Sequence, residues 1–111
     1  MNNHVAQAVE DMLINAEKAL QYFQQDEAGW RSDELRVDAI LRRVSVIGEA
    51  ALRVSVPARE RYPEIKWREI IGMRQRVVHG YDEVDLDILD EVLHHHLPEL
   101  IAQLRAYGAR G

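Results

Sequence analysis

The sequence predicts an all-α fold, an up-and-down four-helix bundle. Three observations predict it. In four segments the apolar residues recur at three- and four-residue steps, the repeat of a helix with one buried face. No segment alternates polar and apolar residues as a half-buried strand would. The segments joining the four are short, which makes neighbouring helices pack side by side.

The first helix is predicted from about His4 to Gln24, with Val5, Val9, Met12, Leu13, Ala16, Leu20 and Phe23 along one stripe. Residues 26–33 read as a loop, with Ser32 or Asp33 able to cap the next helix and Trp30 as a lid on the core. The second helix is predicted from about Asp33 to Val54, with Leu35, Ile40, Val44, Ile47, Ala51 and Leu52 facing inward. Gly48 inside it costs about 1 kcal/mol relative to Ala, so some group is expected close to that backbone. Glu49 beside it reads first as an ordinary surface carboxylate and second as a partner for an active-site cation.

Val56-Pro57-Ala58 and Tyr62-Pro63 break the helical pattern, with one short turn between them. A third helix is predicted from about Ile65 to Val78, with Trp67, Ile70, Ile71 and Val78 apolar. The fourth starts after Asp85, a good cap, and carries Leu86, Leu89, Val92, Leu93, Leu97, Leu100, Ile101 and Leu104. Pro98 removes a backbone donor and should bend or divide it.

The chain has 111 residues, which fits one domain over 1–111 and favours pairing with a second copy. No cysteine is present, so there is no disulfide framework and no thiolate metal site. No apolar run approaches the roughly 20 residues of a membrane span. The start, Met1-Asn2-Asn3-His4, lacks the basic and apolar parts of a signal peptide. A cytoplasmic protein without membrane contact is the expectation. The net charge of −5 argues against a broad nucleic-acid surface. The charges are nevertheless segregated. Residues 53–76 hold seven basic and three acidic side chains, and residues 82–99 hold seven acidic and no Lys or Arg. These segments read either as solvated faces that pair with each other or as a local anion site that makes short contacts with RNA.

Between the two segments lies Arg74, four residues, His79, one residue and Tyr81. On one continuous helix Arg74 and His79 would point about 140° apart. Either the helix ends between them or a second subunit completes the site, and Gly80 favours an end. Arginine grips phosphate oxygens bidentately, and histidine exchanges protons near neutral pH. The pair therefore suits chemistry on a phosphodiester. The run His94-His95-His96 does not suit a metal, because adjacent helical residues point about 100° apart. Asp82, Asp85 and Asp87 read as caps rather than magnesium ligands.

From about residue 35 to 105 the sequence resembles the HepT family, small all-α proteins of the HEPN superfamily. The resemblance rests on Ile47-Gly48-Glu49-Ala50-Ala51, on Tyr62-Pro63 followed by Ile65-Lys66-Trp67 and Ile70-Ile71-Gly72-Met73-Arg74, and on Arg74-x4-His79-x-Tyr81 followed by Val84-Asp85. It implies a dimeric, metal-independent endoribonuclease that needs no cofactor and acts as the toxin of a toxin–antitoxin pair. It implies Arg74 and His79 as the catalytic pair. Its partner would be a nucleotidyltransferase antitoxin of the MntA type, which silences the toxin by transferring AMP to Tyr81. Arg68, Gln75, Arg76 and Glu49 would support the site or hold RNA. Many members place asparagine after the motif arginine, whereas this chain has Gln75, which adds a methylene and rotational freedom. Two other readings stand beside this one. The chain could be a catalytically idle helical subunit that only binds a nucleotidyltransferase, or a plain dimeric bundle that binds nucleotides.

Overall fold

A computed structural model describes residues 3–80 and 83–110. Helix α1 (Asn3–Gln24) is followed by one 3-10 turn (Trp30–Ser32) and α2 (Glu34–Leu52). Asp33 caps α2, its Oδ1 accepting the Arg36 N–H at 3.1 Å. Asp11 pairs with Arg53, Asn15 with Arg43, and the Tyr22 carbonyl with Arg36. Numbers that rise on α1 fall on α2, so the two helices run antiparallel. The bulk of the α1 face that is buried lies on α2.

Trp30 is only 2% exposed and stands edge-on to Phe23, with ring centroids 5.9 Å apart. It closes that end of the core, as its place in the loop suggested. The buried face of α2 is Val37, Ile40, Val44, Ile47, Ala50 and Ala51. Leu35 and Leu52, predicted inward, are 82% and 62% exposed. The steps from Ile40 explain this. Val37, Val44, Ile47 and Ala51 fall near whole turns from it, while Leu35 and Leu52 fall about 120–140° away.

After α2 come α3 (Val56–Arg59), capped by the Ser55 hydroxyl, then α4 (Trp67–Ile71) and α5 (Met73–Val77). The predicted third helix is thus divided at Gly72, which ends α4 and begins α5. A Cβ at Gly72 would stand 3.3 Å from the Arg68 carbonyl, so the kink uses the missing side chain. Gly48 also behaves as expected, because the Ile71 carbonyl lies 3.4 Å from where its Cβ would be.

Strands β1 (Val78–His79) and β2 (Glu83–Val84) form a minimal antiparallel ladder, with Val78 opposite Val84 and His79 opposite Glu83. No strand was expected. Two-residue strands are too short to leave an alternating pattern. The last long segment is α6 (Leu86–Glu91), a π-helical stretch (Val92–His96) and α7 (Leu97–Arg110). The Leu97 N–H donates to the Val92 carbonyl five residues back. Pro98, which cannot donate, follows at once as the second residue of α7. The expected division is therefore a change of hydrogen-bond step.

This segment returns along α1. His94 meets Phe23, and Arg105 pairs with Glu17. Leu89, Val92, Leu93, Leu97 and Leu100 from it meet Met12, Ala16, Ile40, Val44, Ile47, Met73 and Val77 in one core. No helix among the described residues is long and apolar enough to cross a membrane.

Candidate active site

Two buried side chains anchor α5. Met73 is 1% exposed and Val77 is fully buried, so Arg74, Gln75 and Arg76 are turned outward. The helix ends between Arg74 and His79, the first of the two options the spacing left. Val78 is extended, and His79 is carried on β1 rather than on the helix. Gly80 has φ +68°, the left-handed conformation its residue type favours. It turns the hairpin after β1 instead of standing next to the helix end. Tyr81 and Asp82 lie outside the described residues.

Arg74 stands between two concavities. The first, about 410 Å³, lies between α2 and the α4–α5 kink and is lined by Arg42, Ser45, Gly48, Glu49, Leu52, Ile71, Arg74 and Gln75. The kink at Gly72 makes this approach possible, and Gly48 lies where the two backbones come near each other. The second, about 630 Å³, has an apolar wall of Val37, Leu41, Val78, Val84 and Leu86. Arg31, Ser32, Glu34 and Asp38 rim it, and Arg74 closes one end. Three predicted site residues, Glu49, Arg74 and Gln75, thus share one hollow. His79 lines neither hollow, and neither do Arg68 and Arg76, which are exposed on α4 and α5.

Arg42, Arg68, Arg74 and Arg76 form no hydrogen bond, ion pair or ring contact among the described residues. Arg61 also forms none among the described residues, whereas the other three basic residues of the segment are engaged. Arg53 reaches Asp11 at 2.6 Å, Lys66 reaches Glu99 at 3.8 Å, and Arg59 lies over the Trp67 ring at 5.6 Å. Part of the acidic segment is engaged too. Asp87 and Asp90 hold Arg31 at 2.6 and 3.6 Å, and Asp87 beside it raises the Arg31 guanidinium above its ordinary value. The two segments meet only through Lys66 and Glu99 among the described ion pairs. What remains is a set of unpaired guanidiniums around α5. A local cluster of this kind can attract an anion without making the whole surface basic.

His79 Nε2 lies 3.7 Å from Oδ2 of Asp85. Asp85 is also the cap of α6, its Oδ1 accepting from the Asp87 and Ile88 N–H groups at 3.1 and 3.0 Å. The sequence reading saw only the cap. Arg42 and Ser45 were missed as well, although their spacing relative to Glu49 contained the signal. Positions 42, 45 and 49 share one face of a helix, and that face is polar.

His94, His95 and His96 splay from the π-helical stretch. His94 and His95 are exposed and His96 is half-buried. His94 Nδ1 faces Asp90, 2.9 Å from its carbonyl and 3.2 Å from its carboxylate, and its ring meets Phe23.

Comparison with known proteins adds the family. A model of the family described as ribonuclease HepT-like matches residues 12–107. A protein of Caldanaerobacter subterraneus subsp. tengcongensis, named a putative RNase, is 33% identical over 73 residues, 66% of this chain and 65% of the relative. One of Methanocaldococcus jannaschii, also named a putative RNase, is 37% identical over 62 residues, 56% of this chain and 53% of the relative. A protein of Thermococcus cleftensis, named a probable ribonuclease HepT, is 34% identical over 62 residues, 56% of each chain. The chain therefore spans between about half and two thirds of the length of these relatives. No solved structure matches.

Proposed function

The chain belongs to the HepT-like family, and from that premise we propose that it is an endoribonuclease, the toxin of a toxin–antitoxin pair. The observation that carries this reading is Arg74. Two buried neighbours hold it outward at the junction of two hollows, and it has no partner among the described residues. A guanidinium placed so is available to two non-bridging phosphate oxygens at once.

The RNA supplies its own nucleophile. The 2′-oxygen bonds to phosphorus while the bond to the 5′-oxygen breaks, leaving a 2′,3′-cyclic phosphate and a 5′-hydroxyl. Tethering makes the attack intramolecular, and the route requires no metal. His79 takes the 2′-hydroxyl proton and water gives one to the leaving 5′-oxygen, the histidine's role being worth about 10²–10⁴-fold. Arg74 balances the charge that builds on the phosphate, a contribution of roughly 3–4 kcal/mol for a well-placed donor. Gln75, Arg42 and Arg76 hold flanking groups, and Glu49 orients the guanidiniums of its hollow.

A second copy is part of this reading because His79 lines neither of the two hollows that Arg74 lines among the described residues. Leu52, 62% exposed at the rim of the Arg74 hollow, gives such a copy apolar surface to cover. Silencing by a nucleotidyltransferase that attaches AMP to Tyr81, two residues beyond His79, follows from the family resemblance. The added phosphate would compete with RNA for Arg74.

The test is RNA cleavage by the purified chain in EDTA. The parent is expected to cut and to leave cyclic phosphate ends. Arg74→Ala and His79→Ala are each expected to lose at least about 10²-fold in rate with unchanged far-UV circular dichroism. Co-expression with a nucleotidyltransferase should raise the mass of the Tyr81 peptide by whole AMP units. A parent that cuts no RNA but binds the nucleotidyltransferase would establish the idle-subunit reading instead.

A further inference from the structure

The carboxyl group of Asp85 has one oxygen more than its capping role uses. Its backbone N–H donates to the Val77 carbonyl at 2.7 Å, tying the start of α6 to the end of α5. Its Oδ1 is fixed by the two N–H groups at the start of α6, at 3.1 and 3.0 Å. That leaves Oδ2 aimed away from the helix, 3.7 Å from Nε2 of His79. The partner is held in place as well, because the His79 backbone pairs with Glu83 in the two-stranded ladder. Glu83, directly opposite, forms no ion pair or hydrogen bond with the ring.

We propose that Asp85 is a positioning residue for His79, holding the imidazole with its proton on Nε2 so that Nδ1 is the atom that accepts the proton from RNA. This deepens the ribonuclease reading and rests on it for the role of His79. The reasoning follows from the two ring nitrogens. In a neutral imidazole one nitrogen carries the proton and the other accepts, and a fixed acceptor beside one nitrogen decides which. An anchored carboxylate accepts and does not donate, so the nitrogen facing it keeps the proton. At 3.7 Å the pair is beyond hydrogen-bond length and within ion-pair reach. The His79 side chain is 53% exposed, so a small ring rotation closes the gap when substrate fills the open side. When Nδ1 takes the 2′-hydroxyl proton the ring becomes a cation, and the same carboxylate then faces a charge it stabilises. The cap gives the carboxylate its rigidity, since rotating Oδ2 away from the ring would also break two helix-end hydrogen bonds.

Substitution separates positioning from capping. Asn and Ser cap a helix about as well as Asp. Asp85→Asn and Asp85→Ser are therefore expected to keep the parent's circular dichroism and thermal midpoint. In steady-state RNA cleavage both should lower kcat by about 10-fold to 10²-fold, with KM within about twofold, as befits a group that serves the base and not binding. The 15N shifts of the His79 ring, assigned by their loss in His79→Ala, should show a proton on Nε2 in the parent. They should move in both variants. Unchanged kcat in both variants, or ring shifts identical to the parent's, would overturn the proposal. The ring shifts need no RNA, so they decide the contact even if the parent cuts nothing, an outcome that would instead remove the ribonuclease reading.

Discussion

Arg53 and Arg74 are the same residue type in one basic segment, and their surroundings give them opposite uses. Arg53 Nη2 meets Asp11 Oδ2 at 2.6 Å and fastens the end of α2 to α1. Its hydrogen bond holds the Asp11 carboxyl below the usual carboxylate range. A group lowered on folding adds stability above its unfolded value, near pH 3.9, and loses that stability as pH falls through the lower folded value. The pair is largely open to water, so its worth at pH 7 is at most about 1 kcal/mol. Arg53→Ala should therefore lower the urea midpoint slightly at neutral pH, and the difference should close below about pH 4. A gap that persists at acid pH would show that Arg53 acts through its packed stem instead. The sequence told the residue type and the local excess of charge. It could not tell which arginine finds a carboxylate across the bundle, because that depends on helix pairing. The second use of Asp85 was hidden for the same reason, since its capping role is local and its contact with His79 is made across the hairpin.

At the scale of elements, periodicity read the helices well and their interruptions less well. α1 and α2 begin and end within two residues of expectation, because each has a full apolar stripe and Asp33 marks a start. The third helix was read as continuous because Gly72 lies among good helix formers, and a glycine alone does not say whether a helix kinks. The packing does say it. α4 and α5 turn so that their backbone approaches Gly48 of α2, and this opens the hollow that holds Arg74. A methyl at position 48 would stand 3.4 Å from the Ile71 carbonyl, an ordinary contact, so nothing forces the helices apart. Gly48→Ala should then gain most of the roughly 1 kcal/mol by which Ala exceeds Gly in a helix. A rise of several degrees in the thermal midpoint is expected. A fall would mean that α4 sits closer to α2 in solution than 3.4 Å allows. The hairpin was illegible for a different reason. Two residues per strand carry no period, and only Gly80 signalled a turn.

The whole molecule sets the last question, which is how one acidic bundle would assemble the cationic site proposed for it. Within a single chain the ingredients are separated, with Arg74 at the hollows beside α2 and His79 on the hairpin against Asp85. The spacing of the motif allowed either a helix end or a second subunit. The helix does end, and among the described residues His79 lines neither of the two hollows that Arg74 lines. The ribonuclease proposed above combines both conditions, a helix end and a second subunit. A mixture of two dead variants distinguishes a shared site from a private one. In a dimer of one Arg74→Ala chain and one His79→Ala chain, a site built across the interface regains one intact Arg74–His79 pair. A site built within each chain regains none, because each chain still lacks one member. Unfolding the two variants together, refolding them and measuring RNA cleavage should therefore recover up to about a quarter of the parent rate. Random pairing makes half of the dimers mixed, and each mixed dimer restores one of its two sites. Separately refolded variants supply the baseline. Activity that stays at that baseline, in a sample shown by differently tagged chains to contain mixed dimers, would place the whole reaction within one bundle and leave the exposed Leu52 without its expected cover.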